Sequence, residues 1–174
     1  AFQIVSEMPN MKYLQIFSYI ITCLVEGEFM QMEDVYRIDQ GIERYMIKTQ
    51  KKTADFMEGC MELGGLLGGW SDSEIIELKK YGHALGMAFQ ITDDIMDYRE
   101  TTETTGKPVG NDLREGLLTY PLLSIVNDDN KDRLLADIKA LNNGGNEQDI
   151  IDYVIAQGGI DNTLAVADQY CKDA

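Results

Sequence analysis

Residues 84–97 read Ala84-Leu-Gly-Met-Ala-Phe-Gln-Ile-Thr-Asp-Asp-Ile-Met-Asp97. On an α-helix, positions i, i+3, i+4 and i+7 share one face. In this stretch those positions hold polar side chains: Gln90, Asp93, Asp94 and Asp97. The other faces carry leucine, methionine, phenylalanine and isoleucine, and a helix this apolar belongs inside a protein. The pattern therefore predicts a buried helix whose single polar stripe faces a cavity or a buried partner.

The aspartates of this stripe are costly by themselves. Aspartate is a poor helix former, and like charges at i and i+4 repel by a few tenths of a kcal/mol. Buried carboxylates without partners cost roughly several kcal/mol more. A hard divalent cation removes this penalty, and oxygen ligands of this kind suit Mg²⁺. The sequence therefore predicts a Mg²⁺ site. The alternative, an acidic face near a helix end, does not explain a stripe in the middle of an apolar run.

The rest of the chain is also helical in pattern, with only 3 prolines and no alternating strand pattern. A glycine cluster at 64–69 predicts the end of a long helix. Ser71, with Glu74 three positions later, predicts the capped start of the next helix. We expect an all-α protein with helices near residues 11–28, 39–67, 72–98, 114–126, 129–141, 147–157 and 161–171, and a loop near 101–112.

Length and charge limit the function further. The 174 residues suit one domain with its own core. Lysine and arginine number 15 against 30 aspartates and glutamates, so the net charge of −15 argues against nucleic acid as a partner. An acidic protein that binds a polyanion needs cations between the two. The 3 scattered cysteines predict reduced thiols and a cytoplasmic protein. No apolar run approaches the ~18 residues of a transmembrane segment.

Several ordered motifs resemble those of the trans-isoprenyl (polyprenyl) diphosphate synthases. Residues 89–97 resemble the family's second aspartate-rich motif, DDxxD. Residues 106–116 are similar to the GKxxGxDLxxG segment that follows it, and residues 119–122 to the TxP beyond. Upstream, residues 45–54 resemble the Y…KTA helix and residues 26–31 the EGE…Q stretch. The likeness is greatest to bacterial medium- and long-chain enzymes, the heptaprenyl and octaprenyl diphosphate synthases.

The resemblance implies a partial isoprenoid synthase-type helical bundle. Its implied activity is the Mg²⁺-dependent condensation of an allylic diphosphate with isopentenyl diphosphate to a trans-polyprenyl diphosphate. By the same resemblance, Asp93 and Asp94 would help to hold Mg²⁺ on the allylic diphosphate, with Asp97 nearby. Asp112 would support a metal-bound water.

The resemblance also assigns substrate contacts. Lys52 and Lys107 would contact the diphosphate, and Thr53 and Gln90 would lie beside the phosphate and the reacting carbons. Phe89 would border the homoallylic substrate. Family members bend the helix near the Lys-Thr pair, which exposes backbone oxygen to the developing carbocation.

One family feature is missing from the sequence. No DDxxD precedes Asp93, although the family has a first aspartate-rich motif on an earlier helix. The resemblance therefore implies that residues 1–174 lack the N-terminal helices with that motif and the last C-terminal helices. It also implies that the chain alone is inactive. A homodimer through the EGE helix is the expected assembly, and the product would associate with membranes. Product length is not predicted.

Two other functions share parts of this pattern. A non-catalytic or regulatory subunit of a heteromeric synthase has the same fold, but the retained DDxxD and lysines argue against it. A terpene cyclase would carry an Asn/Ser/Glu-type metal motif, which the sequence does not show. Three side chains fit structural interpretations better than functional ones: Lys48 and Lys51 as solvated helix charges, and His83 as a hydrogen-bonded packing residue. Leu117 replaces a lysine that many family members have.

Overall fold

A computed structural model describes residues 2–8, 10–99 and 110–174. Its elements are helical: α1 (Phe2–Ser6), α2 (Met11–Glu33), α3 (Gly41–Thr49), a π-helical turn (Gln50–Ala54), α4 (Asp55–Leu67), α5 (Asp72–Arg99), α6 (Asn111–Glu115), α7 (Tyr120–Leu123), α8 (Lys131–Ala140), a 3₁₀ turn (Leu141–Asn143), α9 (Glu147–Ala156) and α10 (Gly159–Asp173). The all-α prediction is confirmed. The predicted loop at 101–112 falls mostly outside the described residues.

Helix α5 has one apolar face buried in the bundle, so the prediction of a buried helix is confirmed only in part: Leu85, Phe89 and Met96 are 37%, 56% and 44% exposed. It packs along α4 on one side and along α10 on the other. Its apolar side chains, among them Met87 and Ile91, are buried in a core shared with Leu113, Leu122 and Ile138. The predicted N-terminal cap is present, because the Ser71 amide donates to Glu74 Oε2 at 2.8 Å. Burial of this helix fixes the direction of its polar stripe.

The long helix predicted at 39–67 is not one continuous α-helix. The chain is helical from Gly41 to Leu67, but residues Gln50–Ala54 form a π-helical turn. Single π turns inside α-helices often mark functional sites. This turn contains the Lys52-Thr53 pair, where the family resemblance implied a bend.

Two glycines allow neighbouring elements to approach this turn closely. A Cβ on Gly86 of α5 would lie 2.6 Å from the Cα of Ala54, and a Cβ on Gly27 of α2 would lie 3.0 Å from the Lys52 amide nitrogen. Real Cβ atoms do not approach backbone at the first of these distances. The glycines therefore let α2 and α5 enclose the π turn from both sides.

The helix predicted at 114–126 was wrong. The structure has two short helices there, Asn111–Glu115 and Tyr120–Leu123. They are separated at Gly116, which adopts φ +75°, and a Cβ there would lie 2.8 Å from the Tyr36 ring. Pro121 lies in the first turn of the next helix, where proline is tolerated because its missing amide would have no partner within the helix. Helix α2 also continues to Glu33, beyond the predicted end at residue 28.

Among the described helices, none combines the length and the hydropathy needed to cross a lipid bilayer.

Candidate active site

A polar cavity of about 180 Å³ opens beside the stripe of α5. Residues from α2, α3, the π turn, α5 and the α6–α7 segment line it together. Six predicted site residues are among them: Lys52, Thr53, Gln90, Asp93, Asp94 and Asp112. The fold thus brings together side chains that are up to sixty positions apart in the sequence. Lys107 lies outside the described residues.

Asp94 is the most buried carboxylate of this cavity, with 5% of its surface exposed. Its carboxylate accepts hydrogen bonds from the Tyr45 hydroxyl at 2.6 Å and from Gln90 Nε2 at 3.1 Å. Both donors are neutral. Burial raises the pKa of Asp94 to about 7, although the two hydrogen bonds act in the opposite direction. The site therefore holds a carboxylate whose charge would be stabilised by an incoming cation.

Gln90 connects the stripe to the π turn. Its Oε1 accepts a hydrogen bond from the Thr53 hydroxyl at 2.9 Å, while its Nε2 donates to Asp94. The close approach of Gly86 to Ala54 permits this contact one turn further along α5. Two residues that the resemblance assigned to the substrate therefore lie side by side at the cavity wall.

Lys52 enters the cavity from the π turn and meets the C-terminal half of α2. Its Nζ donates to Gln31 Oε1 at 2.9 Å and lies 3.0 Å from Glu28 Oε2. These partners belong to the EGE…Q stretch, so the motifs at residues 26–31 and 45–54 meet at this lysine. Its side chain is 36% exposed, which leaves the ammonium accessible to an anion in the cavity.

Asp97 organises the start of α6. Its Oδ1 accepts from the Asn111 amide at 3.0 Å and its Oδ2 from the Asp112 amide at 3.2 Å. Burial raises the pKa of Asp97, and the backbone amides oppose that shift. These contacts fix the position of Asp112 at the cavity. The predicted role of Asp97 beside a metal ion stays a prediction.

Phe89 lies apart from the polar cavity. It is 56% exposed on α5, and Leu85 and Met96 of the same helix are also exposed. Its predicted position beside the homoallylic substrate stays a prediction, since the described cavity does not include it.

Sequence reasoning missed Lys48, Tyr45 and Gln31 as cavity residues. The interpretation of Lys48 as a solvated charge was wrong, because only 9% of its surface is exposed. Its spacing offered a signal: it follows Tyr45 by three positions and precedes Lys52 by four, so all three share one helix face. Leu117 also lines the cavity, at the position where many family members have a lysine.

A second group of possible metal ligands lies elsewhere, between α4 and α5. One ligand atom each from Asp55, Glu58 and His83 lie within 4.8 Å of one another. His83 Nδ1 is 3.4 Å from Glu58 Oε2, and Lys79 Nζ is 3.5 Å from the other oxygen of Glu58. The Glu58 carboxylate therefore already has partners in Lys79 and His83, which agrees with the interpretation of His83 as a hydrogen-bonded packing residue.

The polyprenyl synthetase family profile matches residues 1–157. This chain belongs to that family. It is 31% identical over 169 residues to heptaprenyl diphosphate synthase component 2 of Geobacillus stearothermophilus, covering 97% of this chain and 53% of the relative. It is 39% identical over 123 residues to octaprenyl diphosphate synthase of Escherichia coli, covering 71% of this chain and 38% of that protein. The expected family is confirmed, and so is the likeness to heptaprenyl and octaprenyl diphosphate synthases.

Solved structures agree with this assignment. The heptaprenyl diphosphate synthase of Staphylococcus aureus superposes with a TM-score of 0.85 at 28% identity, covering 96% of this chain and 53% of that chain. A polyprenyl synthase of Caulobacter crescentus, complexed with calcium and isoprenyl diphosphate, gives 0.85 at 29% identity, with 99% and 54% covered. The helical isoprenoid synthase fold is confirmed. The chain spans about half the length of these proteins.

Proposed function

We propose that this chain supplies the diphosphate-binding, Mg²⁺-dependent part of a trans-polyprenyl diphosphate synthase. The reaction condenses an allylic diphosphate with isopentenyl diphosphate. One observation carries the proposal: Asp94 is buried beside Asp93 and Lys52 at one polar cavity, and the described residues that donate hydrogen bonds to its carboxylate, Tyr45 and Gln90, are neutral. A buried carboxylate that served only stability would have a cationic partner within the protein.

The residues at this cavity fit a divalent cation. Asp93, Asp94 and Asp112 offer carboxylate oxygens, which hard cations such as Mg²⁺ prefer. Burial raises the pKa of Asp94, a cost that a bound cation would remove. When bound, Mg²⁺ supplies positive charge that stabilises a diphosphate leaving group. Asp93 and Asp94 are the residues proposed to hold it, with Asp97 nearby and Asp112 supporting a metal-bound water.

The other residues of the cavity would bind and orient the substrate. Lys52 would donate hydrogen bonds to a diphosphate oxygen, which stabilises negative charge as the carbon–oxygen bond breaks. The Thr53 hydroxyl and the Gln90 amide, linked at 2.9 Å, would direct their dipoles at the reacting carbons. The buried apolar side chains of α5 would limit water, which otherwise quenches a carbocation. Roles for Lys107 and Phe89 remain part of the proposal.

The first test is metal-dependent binding. An allylic diphosphate analogue should bind with Mg²⁺ and lose most of its affinity in EDTA, because carboxylates and diphosphate repel one another without a cation. Calorimetry on the protein in the form that its gene encodes measures both affinities. Equal affinity in EDTA would contradict the proposal.

Partners are also proposed. Helix α2 carries a row of exposed apolar side chains at helical spacing: Ile21, Val25, Phe29 and Met32, which are 44%, 48%, 61% and 65% exposed. Exposed apolar rows of this kind favour association. We expect a homodimer through α2 in a cytoplasmic enzyme, with a product that associates with membranes. The chain spans about half of its relatives, so we also expect residues 1–174 alone to be inactive.

The second candidate is a non-catalytic or regulatory subunit of a heteromeric synthase. The name of the Geobacillus relative, component 2, favours a heteromer. Metal-dependent substrate binding separates the two: a non-catalytic subunit has no need of Mg²⁺ to bind an allylic diphosphate, whereas a catalytic chain does.

A further inference from the structure

The cavity contains a lysine to which the proposed function has so far given no role. Lys48 lies on α3, one helical turn before Lys52, and is 9% exposed. It lines the same cavity as Asp93, Asp94 and Asp112. A buried ammonium is costly unless other groups satisfy it. Its partners therefore show whether the protein keeps it for stability alone.

Among the described residues, Lys48 hydrogen-bonds two side chains, and Asp94 attracts its charge across the cavity. Its Nζ donates to Gln40 Oε1 at 3.0 Å and lies 3.5 Å from Asp34 Oδ2. Asp34 has a closer cation, since Arg44 Nε is 2.7 Å from its Oδ1. Asp34 therefore does not depend on Lys48 for its charge balance. An ammonium has three N–H donors, and the described residues accept two of them, at Gln40 and Asp34.

The two lysines differ in how firmly they are held. The Lys52 side chain is 36% exposed and pairs with Glu28. The Lys48 side chain is 11% exposed, and contacts with Gln40 and Asp34 hold its ammonium in place. Gln40 is itself held, because its Nε2 donates to the Leu118 carbonyl at 3.4 Å. Lys48 is thus a preorganised donor at the cavity floor, which loses little side-chain entropy on binding an anion.

We propose that Lys48 is a further diphosphate-binding residue, which donates a hydrogen bond to a non-bridging oxygen of the substrate's diphosphate. The inference rests on the proposed function. When the allylic carbon–oxygen bond breaks, its electron pair stays on the diphosphate oxygen. Lys48 transfers no proton and stabilises the added negative charge. Asp34 and Gln40 position its ammonium.

The test is binding of inorganic pyrophosphate with Mg²⁺, measured by calorimetry on the protein in the form that its gene encodes. Lys48→Met should raise the Kd at least about tenfold, or ~1.4 kcal/mol. Lys48→Arg should restore much of the affinity because it keeps the charge. Lys51→Met is the matched control: Lys51 lies three positions away, pairs with Glu26 at 2.5 Å, and is not among the cavity residues. Its Kd should equal that of the wild type.

A second variant guards against misfolding. Lys48→Gln removes the charge but keeps a hydrogen-bond donor for Gln40 and Asp34, so it should fold where Lys48→Met does not, and it should still bind pyrophosphate weakly. Wild-type Kd in a folded Lys48→Met protein, with only a lower Tm, would overturn the inference and leave Lys48 as a clamp on Asp34. A wild-type protein that binds no pyrophosphate with Mg²⁺ would overturn the proposed function together with it.

Discussion

Two aspartates, Asp34 and Asp94, are about equally buried, at 2% and 5% exposed, yet their surroundings are opposite. Asp34 lies within 2.7 Å of Arg44, 3.4 Å of Arg37 and 3.5 Å of Lys48. Asp94 accepts hydrogen bonds only from neutral donors that the structure describes, Tyr45 and Gln90.

The difference separates a structural charge from a functional one. A buried carboxylate surrounded by cations already has its partners, so it holds helices together. A buried carboxylate with neutral donors keeps its attraction for an external cation, and burial raises its pKa accordingly. Positions of this second kind cluster at functional sites. Asp34 joins the end of α2 to α3, whereas Asp94 faces the cavity.

The largest expected effect is the loss of stability when Asp34 is replaced. Asp34→Asn should lower the free energy of unfolding by about 4 kcal/mol, because the buried Lys48 loses its counter-charge and Arg44 keeps only its exposed partner Glu33. The loss should be the same with Mg²⁺ and with EDTA. Urea denaturation in both buffers measures it. Asp94→Asn is the matched control, since among the described residues its carboxylate accepts hydrogen bonds only from the neutral donors Tyr45 and Gln90, and it should cost much less in EDTA. Equal losses in the two variants would end the distinction between these residues.

The next effect is a pH dependence that belongs to Asp94. Its pKa in the folded protein, about 7, lies above its ordinary value of 3.8, so the folded state keeps a proton that the unfolded chain has lost. This contribution to stability is complete below the ordinary pKa and is lost as the pH rises through the raised one. In EDTA, the stability of the wild type relative to Asp94→Asn should therefore fall by on the order of 4 kcal/mol across this window. Saturating Mg²⁺ should reduce the fall, and parallel pH curves for the two proteins would contradict it.

A smaller effect concerns turnover. Asp93→Ala should lower the turnover of the assembled enzyme at least about tenfold, or ~1.4 kcal/mol of transition-state stabilisation, because it removes a proposed metal ligand. Steady-state assays with farnesyl diphosphate and isopentenyl diphosphate measure this. His83→Ala is the control, since His83 contacts Glu58 and not the cavity, and its turnover should be nearly unchanged. Wild-type turnover in Asp93→Ala would refute the role given to the stripe.

The smallest effect tests the neutral donors. Tyr45→Phe removes the 2.6 Å hydrogen bond to Asp94 and should lower stability in EDTA by about 1 kcal/mol. It should also raise the pKa of Asp94 further, because that hydrogen bond opposes the effect of burial. Thermal unfolding and NMR titration of the Asp94 carboxyl follow the two changes. A lowered carboxyl pKa in this variant would mean that Tyr45 does not stabilise the charged form.

Much of the fold could be predicted because it depends on local pattern. The buried α5 follows from apolar residues around one polar stripe, and its start follows from the Ser71–Glu74 cap. The region at 114–126 failed because Gly116 adopts a left-handed conformation against Tyr36, a residue eighty positions earlier. A helical pattern in the sequence does not record such a contact.

Some residues of the candidate site could be predicted from the sequence, and others could not. Residue types and spacing identified the Asp93–Asp94 pair, and ordered motifs identified Lys52 and Thr53. Lys48 was misread because a lysine near two others resembles a solvated helix face until its partners Asp34 and Gln40 are known. The structure leaves the catalytic roles of all these residues as predictions.

The sequence by itself determined the helical class, the family, and the oxygen-rich stripe that suits a hard cation, because these depend on residue type and on spacing within one helix. Only the tertiary structure decided which carboxylate is balanced and which is not. Asp94 meets Tyr45 from forty-nine positions away, and Asp34 meets Arg44 across the turn between α2 and α3. The charge balance of a buried group depends on its neighbours in space, and packing of separate helices sets those neighbours.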